Sequence, residues 1–444
     1  MTEQGNISKL RSYWFTPVNN SPLIVFRILF GCIMFMEFAK SITTGWVRQV
    51  YISTSFRFTF IGFEFLQNMH GTAMYYYFGL GCLFALMVTF GLLYRFSSVM
   101  LALVWTGVYF SQKEHYNNHY YLMVLLCWLM ALVPAHRRAA LDVKLGNVQA
   151  ANECSRWCIQ LFVIQIAVLY VYAAIAKIYP DWLQAMPAKL WFAKRHGHPL
   201  MGKLFAQEWF AYFVSYSGIL FDLLIVPALL WRRTRVTAVV AMLVFHQFNK
   251  LTFGIGVFPY LAMSLNVFFF KGETFDKTVG IETKDLISPF TSFKTQTYIT
   301  IALCLYIAWQ LLTPFRHFLY KGDVVWTEEG HRMSWRMMLR SKKGTITYTI
   351  KDKNSDSVWT ELPADRLLSY QARSVATKPD FIWQYAQYLE KLYKEKGYDV
   401  QVFADCKCSV NGRPIKALID PTIDLAVQPW RPFSHHSWIT TEYK

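Results

Sequence analysis

Up to about Phe315 this chain is dominated by apolar runs, several of them long enough to cross a bilayer. They cover about residues 22–41, 73–93, 97–112, 118–134, 156–178, 209–231, 236–249, 257–270 and 296–313. A hydrocarbon core takes ~20 apolar residues of helix. The seventh and eighth runs are short, as tilted, broken or re-entrant segments are. The fold expected is an α-helical polytopic membrane bundle of eight or nine transmembrane helices. A mostly β extracytoplasmic domain follows it.

Composition changes at the end of the last run. Of the 444 residues, 54% are hydrophobic, and the excess lies before Phe315. The remainder is mixed and polar. The expected division is a membrane bundle over 1–315 and an outer domain over 316–444. In the outer part, Thr345–Ile350 alternates, turns through Lys353–Asp356 and resumes at Val358. Val400–Val410 and Ile415–Ile419 flank Asn411-Gly412, a hairpin signal. Between them, Ile382, Tyr385, Tyr388, Leu389 and Leu392 follow the helical period.

The net charge of +17 belongs with the membrane. Basic residues gather in loops at Arg95, at Arg137 to Lys144, at Arg232 to Arg235 and at Lys271 to Lys294. With nine crossings these loops share a side with Lys9 and Arg11, and the positive-inside rule makes that side cytoplasmic. The polar N-terminus carries no cleavage site after its first apolar run, so that run is expected to stay as a helix. An odd count leaves the C-terminal domain extracytoplasmic, in the periplasm or the ER lumen. No basic module suggests nucleic acid as a partner. The eight cysteines show no metal-ligand spacing, so no metal is expected. The partner expected on composition is the lipid bilayer.

Ionisable groups at the ends of spans are costly, and therefore informative. Three clusters fall on the outer side of this topology: His115 to Tyr121, Lys177 to Trp182, and His246 with Asn249 through Tyr260. Each alone reads as interfacial or packing residues, Lys177 as a snorkelling amine. Together they outline an amphiphilic pocket with one candidate base. Desolvation disfavours an ammonium, so an amine there can serve as a proton acceptor. Apolar walls with few polar groups suit a lipid-soluble ligand with a polar head, such as a quinone.

These clusters carry a resemblance. Asn117-Asn118-His119-x-Tyr121-Leu122, Lys177-x-x-x-Asp181-Trp182 and Phe245-His246 with Asn249, Phe253-x-Ile255-Gly256 and Phe258-x-Tyr260 resemble, in order, segments of the vitamin K-dependent gamma-carboxylases. So do Trp326-Thr327, Ser334-Trp335-x-Met337-Met338, Asp420-Pro421-x-x-Asp424 and Trp430-x-Pro-Phe433. The ordered set spans nearly the whole chain.

That resemblance implies oxidation of reduced vitamin K (the hydroquinone) by O2 to its epoxide. The strong base so produced removes a γ-proton from glutamate, and CO2 adds. Lys177 is then the amine that starts the process by deprotonating the hydroquinone. Asn118 and His119 orient it. Ile255, Phe258, Met337 and Met338 line its pocket, and the reading places His246 and Asn249 there too. Trp326, Ser334 and Trp335 lie on the glutamate side. Arg340 is a candidate for a bidentate contact with the substrate carboxylate. The partner implied is a glutamate-containing peptide or protein. Ala176, Pro259 and His331 depart from the animal pattern. The chain stops soon after Trp438, where animal members continue, which bears against propeptide guidance, whereas epoxidation needs only the membrane pocket. The alternatives are a quinol epoxidase or oxidase of the same fold without propeptide-guided carboxylation, and a non-enzymatic quinone-binding membrane protein.

Overall fold

The computed structural model describes residues 11–199, 201–280 and 292–441. Lys9 and Lys284, part of the orientation argument, lie outside the described residues. Helices form over every expected run: α1 Ser21–Thr43, α2 Ala73–Phe90, α3 Tyr94–Ser111, α4 Asn118–Leu132, α5 Trp157–Ala176, α6 Glu208–Leu230, α7 Arg235–Phe253, α8 Phe258–Ser264 and α9 Phe293–Leu312. Among the described residues, six helices qualify by length and composition as membrane-crossing: α1, α2, α5, α6, α7 and α9 with its continuation to Leu319. The expectation of eight or nine crossings leans on shorter or less apolar helices. α4 has 15 residues and α8 has seven.

Buried arginines tie the bundle at the end away from the cavity described below. Arg27, inside α1, donates to the Ala135 and Ala139 carbonyls at 2.9 and 2.5 Å. Arg138 reaches Ser21 Oγ at 2.9 Å and Asp276 at 3.2 Å. Charges enclosed by a membrane bundle persist when backbone carbonyls and a carboxylate satisfy them.

The C-terminal region is α+β, less β-rich than its alternating segments suggested. One antiparallel sheet has the order β2-β1-β3-β4, from β1 Lys342–Asp352, β2 Val358–Glu361, β3 Val400–Val410 and β4 Lys416–Ala417. β1 and β3 pair along eleven residues, from Lys342 opposite Val410 to Asp352 opposite Val400. Val402, Ala404, Cys406 and Cys408 alternate inward with Ile346, Tyr348 and Ile350. They meet α10, Pro379–Glu395, through Phe381, Ile382, Tyr385 and Leu389. The hairpin after β3 turns through Asn411 and Gly412, at φ 51° and 77°. Both residues tolerate that left-handed region, which is why the pair marks such turns. Short helices and turns occupy 324–339 and 363–375, where no alternation exists to make strands.

Candidate active site

A cavity of about 600 Å³ opens between the outer ends of the bundle and the underside of the sheet domain. Local sequence explains how each side chain arrives there. Asn117 caps α4, its Oδ1 accepting from Tyr120 N at 2.7 Å. Asn118 and His119 therefore occupy the first turn of the helix, at its positive end. Asn118 accepts from Tyr116 Oη at 3.1 Å and donates to the Arg336 carbonyl at 3.2 Å. The His119 ring leans on Phe258 at 5.7 Å, with no hydrogen-bond partner among the described residues.

Lys177 is the C-cap of α5, which ends at Ala176, four positions before Pro180. The residue before a proline disfavours helix, and a lysine at a helix C-terminus suits the dipole. Its Nζ donates to the Ala173 carbonyl at 3.3 Å and forms a short ion pair with Asp222 of α6. Both side chains are buried, so Asp222 compensates the amine whenever it carries a proton.

α7 delivers His246 and Asn249, then ends at Gly254, whose φ of +65° turns the chain back. Ile255 and Phe258 thereby face the same cavity. His246 Nε2 lies 3.0 Å from Tyr170 Oη, and its ring meets Phe258 edge-on at 5.3 Å. Its other ring nitrogen, Nδ1, is buried without a hydrogen-bond partner among the described residues.

Residues 328–342 form the roof. Glu328, Met333, Trp335 and Met338 all have left-handed φ, between 51° and 59°. Such positions cost about 1–3 kcal/mol each in non-glycine residues and persist only where packing over-determines them. Here Trp335 is buried against Tyr121 at 4.9 Å, and Met333 N donates to Tyr116 Oη at 2.7 Å. The roof is cationic: Arg332, Arg336, Arg340 and Lys342 line the cavity from this segment, and Lys378, just before α10, joins them. Arg340 grips Glu328 with two bonds, at 2.7 and 2.6 Å, and also touches His331. Burial alone would raise the Glu328 carboxyl, but Arg340 and Lys342 outweigh it and hold it well below the usual range. Burial, then Arg340, pushes the His331 imidazole far down, so it is neutral.

The cavity thus gathers Lys177, Asn118, His119, His246, Asn249, Ile255, Phe258, Met337, Met338 and Arg340. Trp326, Ser334 and Trp335 do not line it. Trp326 is buried and donates to the Thr440 carbonyl at 2.9 Å. Ser334 Oγ donates to the Gly330 carbonyl at 2.8 Å. Arg340 is already paired with Glu328, which leaves a substrate carboxylate to compete for it. Sequence reasoning missed Asp222, Arg336 and Lys378. Asp222 is the lone acid beyond the first turn of the apolar α6, a signal of the kind used for Lys177. Asp181 binds Arg413 at 2.6 Å and Asn411 at 2.8 Å, so the Lys177-x-x-x-Asp181 spacing joins the bundle to the hairpin turn.

The fold and site define an integral membrane protein whose largely apolar cavity, with a few polar groups, is roofed by an extracytoplasmic α+β domain. The HTTM domain family matches residues 15–273, and the lumenal domain of vitamin K-dependent gamma-carboxylase matches 295–444. The chain belongs to the gamma-carboxylase family. No solved structure matches it.

Proposed function

We propose that this protein oxidises reduced vitamin K with O2 to the epoxide and couples that oxidation to γ-carboxylation of glutamate with CO2. The observation that carries the reading is a buried amine, Lys177, held by Asp222 in one cavity with His119 and His246. The cavity suits a quinol: its size falls in the ~300–1,000 Å³ of ligand pockets, its walls are largely apolar, and His246 Nδ1 lacks a partner.

When bound, the quinol supplies the redox chemistry and the strong base that γ-proton removal needs. The unprotonated form of the Lys177 amine accepts the hydroxyl proton, and Asp222 stabilises the resulting ammonium. His119 and Asn118 orient the ring from the α4 N-terminus. Ile255, Phe258, Met337 and Met338 keep water out, while His246 and Asn249 meet the polar head. Trp326, Ser334 and Trp335 act by fixing the strained roof on the glutamate side, and Arg340 acts there through Glu328. The division at 315, the nine-crossing topology and a cytoplasmic N-terminus complete the proposal. They bring quinol from the bilayer and peptide from outside.

The test is the purified protein in detergent with reduced vitamin K, O2, bicarbonate and a short glutamate peptide. Epoxide and fixed CO2 are assayed separately. Both are expected. Absence of epoxide overturns the reading, and epoxide without fixed CO2 confines it to oxidation. His246→Leu removes one hydrogen bond to the ligand and is expected to raise the KM for quinol by about three- to tenfold, measured as initial rates of epoxide formation.

A further inference from the structure

Two of the five roof cations stand apart. Glu328 compensates Arg340 at 2.6 Å and Lys342 at 3.5 Å. Asp380 compensates Arg332 at 2.8 Å. Arg336 and Lys378 have no carboxylate partner among the described residues. Lys378 Nζ has a hydroxyl, Ser374 Oγ at 3.3 Å, and the Phe381 ring at 4.8 Å. Both residues are partly buried and line the cavity. Asp323 acts on Arg336, and Glu328 and Asp380 act on Lys378, only from beyond ion-pair distance, so both cations keep room for anionic charge from a ligand.

We infer that Arg336 and Lys378 form a two-cation site for paired carboxylates, one holding the side-chain carboxylate of the acceptor glutamate and the other the carboxyl group being added to it. This rests on the carboxylation proposed above. The γ-carbon loses its proton to the base generated from the quinol. The electron pair left on carbon forms the new bond to the carbon of CO2, and one C–O π bond opens to give the carboxylate oxygen. The side chain passes from one negative charge to two on the same carbon. One unpaired cation matches the reactant, whereas two match the product and the charge developing on the way to it. Met337 and Met338, beside Arg336, supply the apolar wall that weakens competition from water.

The experiment is titration calorimetry on the full chain in detergent, with neither quinol nor O2 present. Two short peptides are compared that differ only in carrying glutamate or γ-carboxyglutamate. The γ-carboxyglutamate peptide is expected to bind roughly tenfold more tightly, the worth of one charge-assisted hydrogen bond. Neutralising either cation, Arg336→Gln or Lys378→Gln, should erase the difference, and Lys378→Arg should keep it. The conservative variant separates charge recognition from a loss of folding. Equal binding by the wild type, or a preference that survives both neutralisations, overturns the proposal. A wild type with the preference but no epoxide activity would sink the quinol reading and leave this site standing.

The pH dependence has a definite sign. Burial pushes the Lys378 amine down to about 8, with Arg332 and Arg340 adding to it and Glu328 and Asp380 opposing. The ammonium is full below that value and is lost above it. The preference is therefore expected to decline as pH rises past about 8, while the peptide carboxylates stay ionised throughout.

Discussion

Lys177→Ala is expected to lower epoxide formation from reduced vitamin K by about 10²- to 10⁴-fold, the range a positioned proton acceptor contributes. The argument is one of supply. Among the groups lining the cavity's membrane side, the amine alone has a carboxylate beside it to stabilise the proton it takes up. His246 is bonded to Tyr170, and His119 has no acidic partner among the described residues. Removing the amine also strands Asp222 in the bundle, so folding must be checked alongside rate. Lys177→Arg answers that. It keeps a cation against Asp222, but a guanidinium does not give up its proton and cannot act as a base. A well-folded arginine variant without epoxide activity supports the assignment. Wild-type rates in either variant would remove Lys177 from the role.

The second large effect concerns stability. Asp380→Ala is expected to destabilise the protein by about 3–5 kcal/mol, read as a lowered unfolding midpoint in detergent. Asp380 opens α10 and meets two buried cations at once, Lys113 at 2.5 Å and Arg332 at 2.8 Å. Alanine leaves both without a counter-charge. Burial would raise this carboxyl, but Arg332 and then Lys113 overcome it and hold it at about 2. A carboxyl lowered on folding stabilises above its unfolded value of 3.8, and that contribution disappears as pH falls toward 2. The wild type should therefore lose stability across that acid window, and the alanine variant should show less of the loss. An alanine variant as stable as the wild type would show that the cluster is dispensable.

Much of this was legible in the sequence, and the reasons are physical. Bilayer thickness imposes the length of the spans, so apolar runs announce themselves. The strict period of a half-buried sheet displays β1 and β3 in the same way. Lys177, His119 and His246 were legible because ionisable groups stand out against apolar helices. Asp222 was equally visible, yet its pairing with Lys177 depends on α5 and α6 lying side by side, which no spacing encodes. The roof was least legible. Residues 328–342 have neither period, and their burial comes from being enclosed between bundle and sheet. Arg336 and Lys378 sit 42 positions apart and share a cavity only through that enclosure.

The bonds around α10 bear on how such a protein is made. Gln384 holds the Thr59 carbonyl at 3.0 Å, Gln371 holds that of Phe56 at 2.9 Å, and Phe381 packs on Phe58 at 4.6 Å. The loops carrying residues 56–59 and 113 leave the ribosome hundreds of residues before α10 is complete. Through that interval Lys113 lacks Asp380 and Phe58 lacks the Phe381 ring. Insertion of the early helices therefore yields an unfinished outer surface, a natural client for chaperones at the membrane. The cavity is closed last, by the final third of the chain, so premature termination releases an open bundle without a roof.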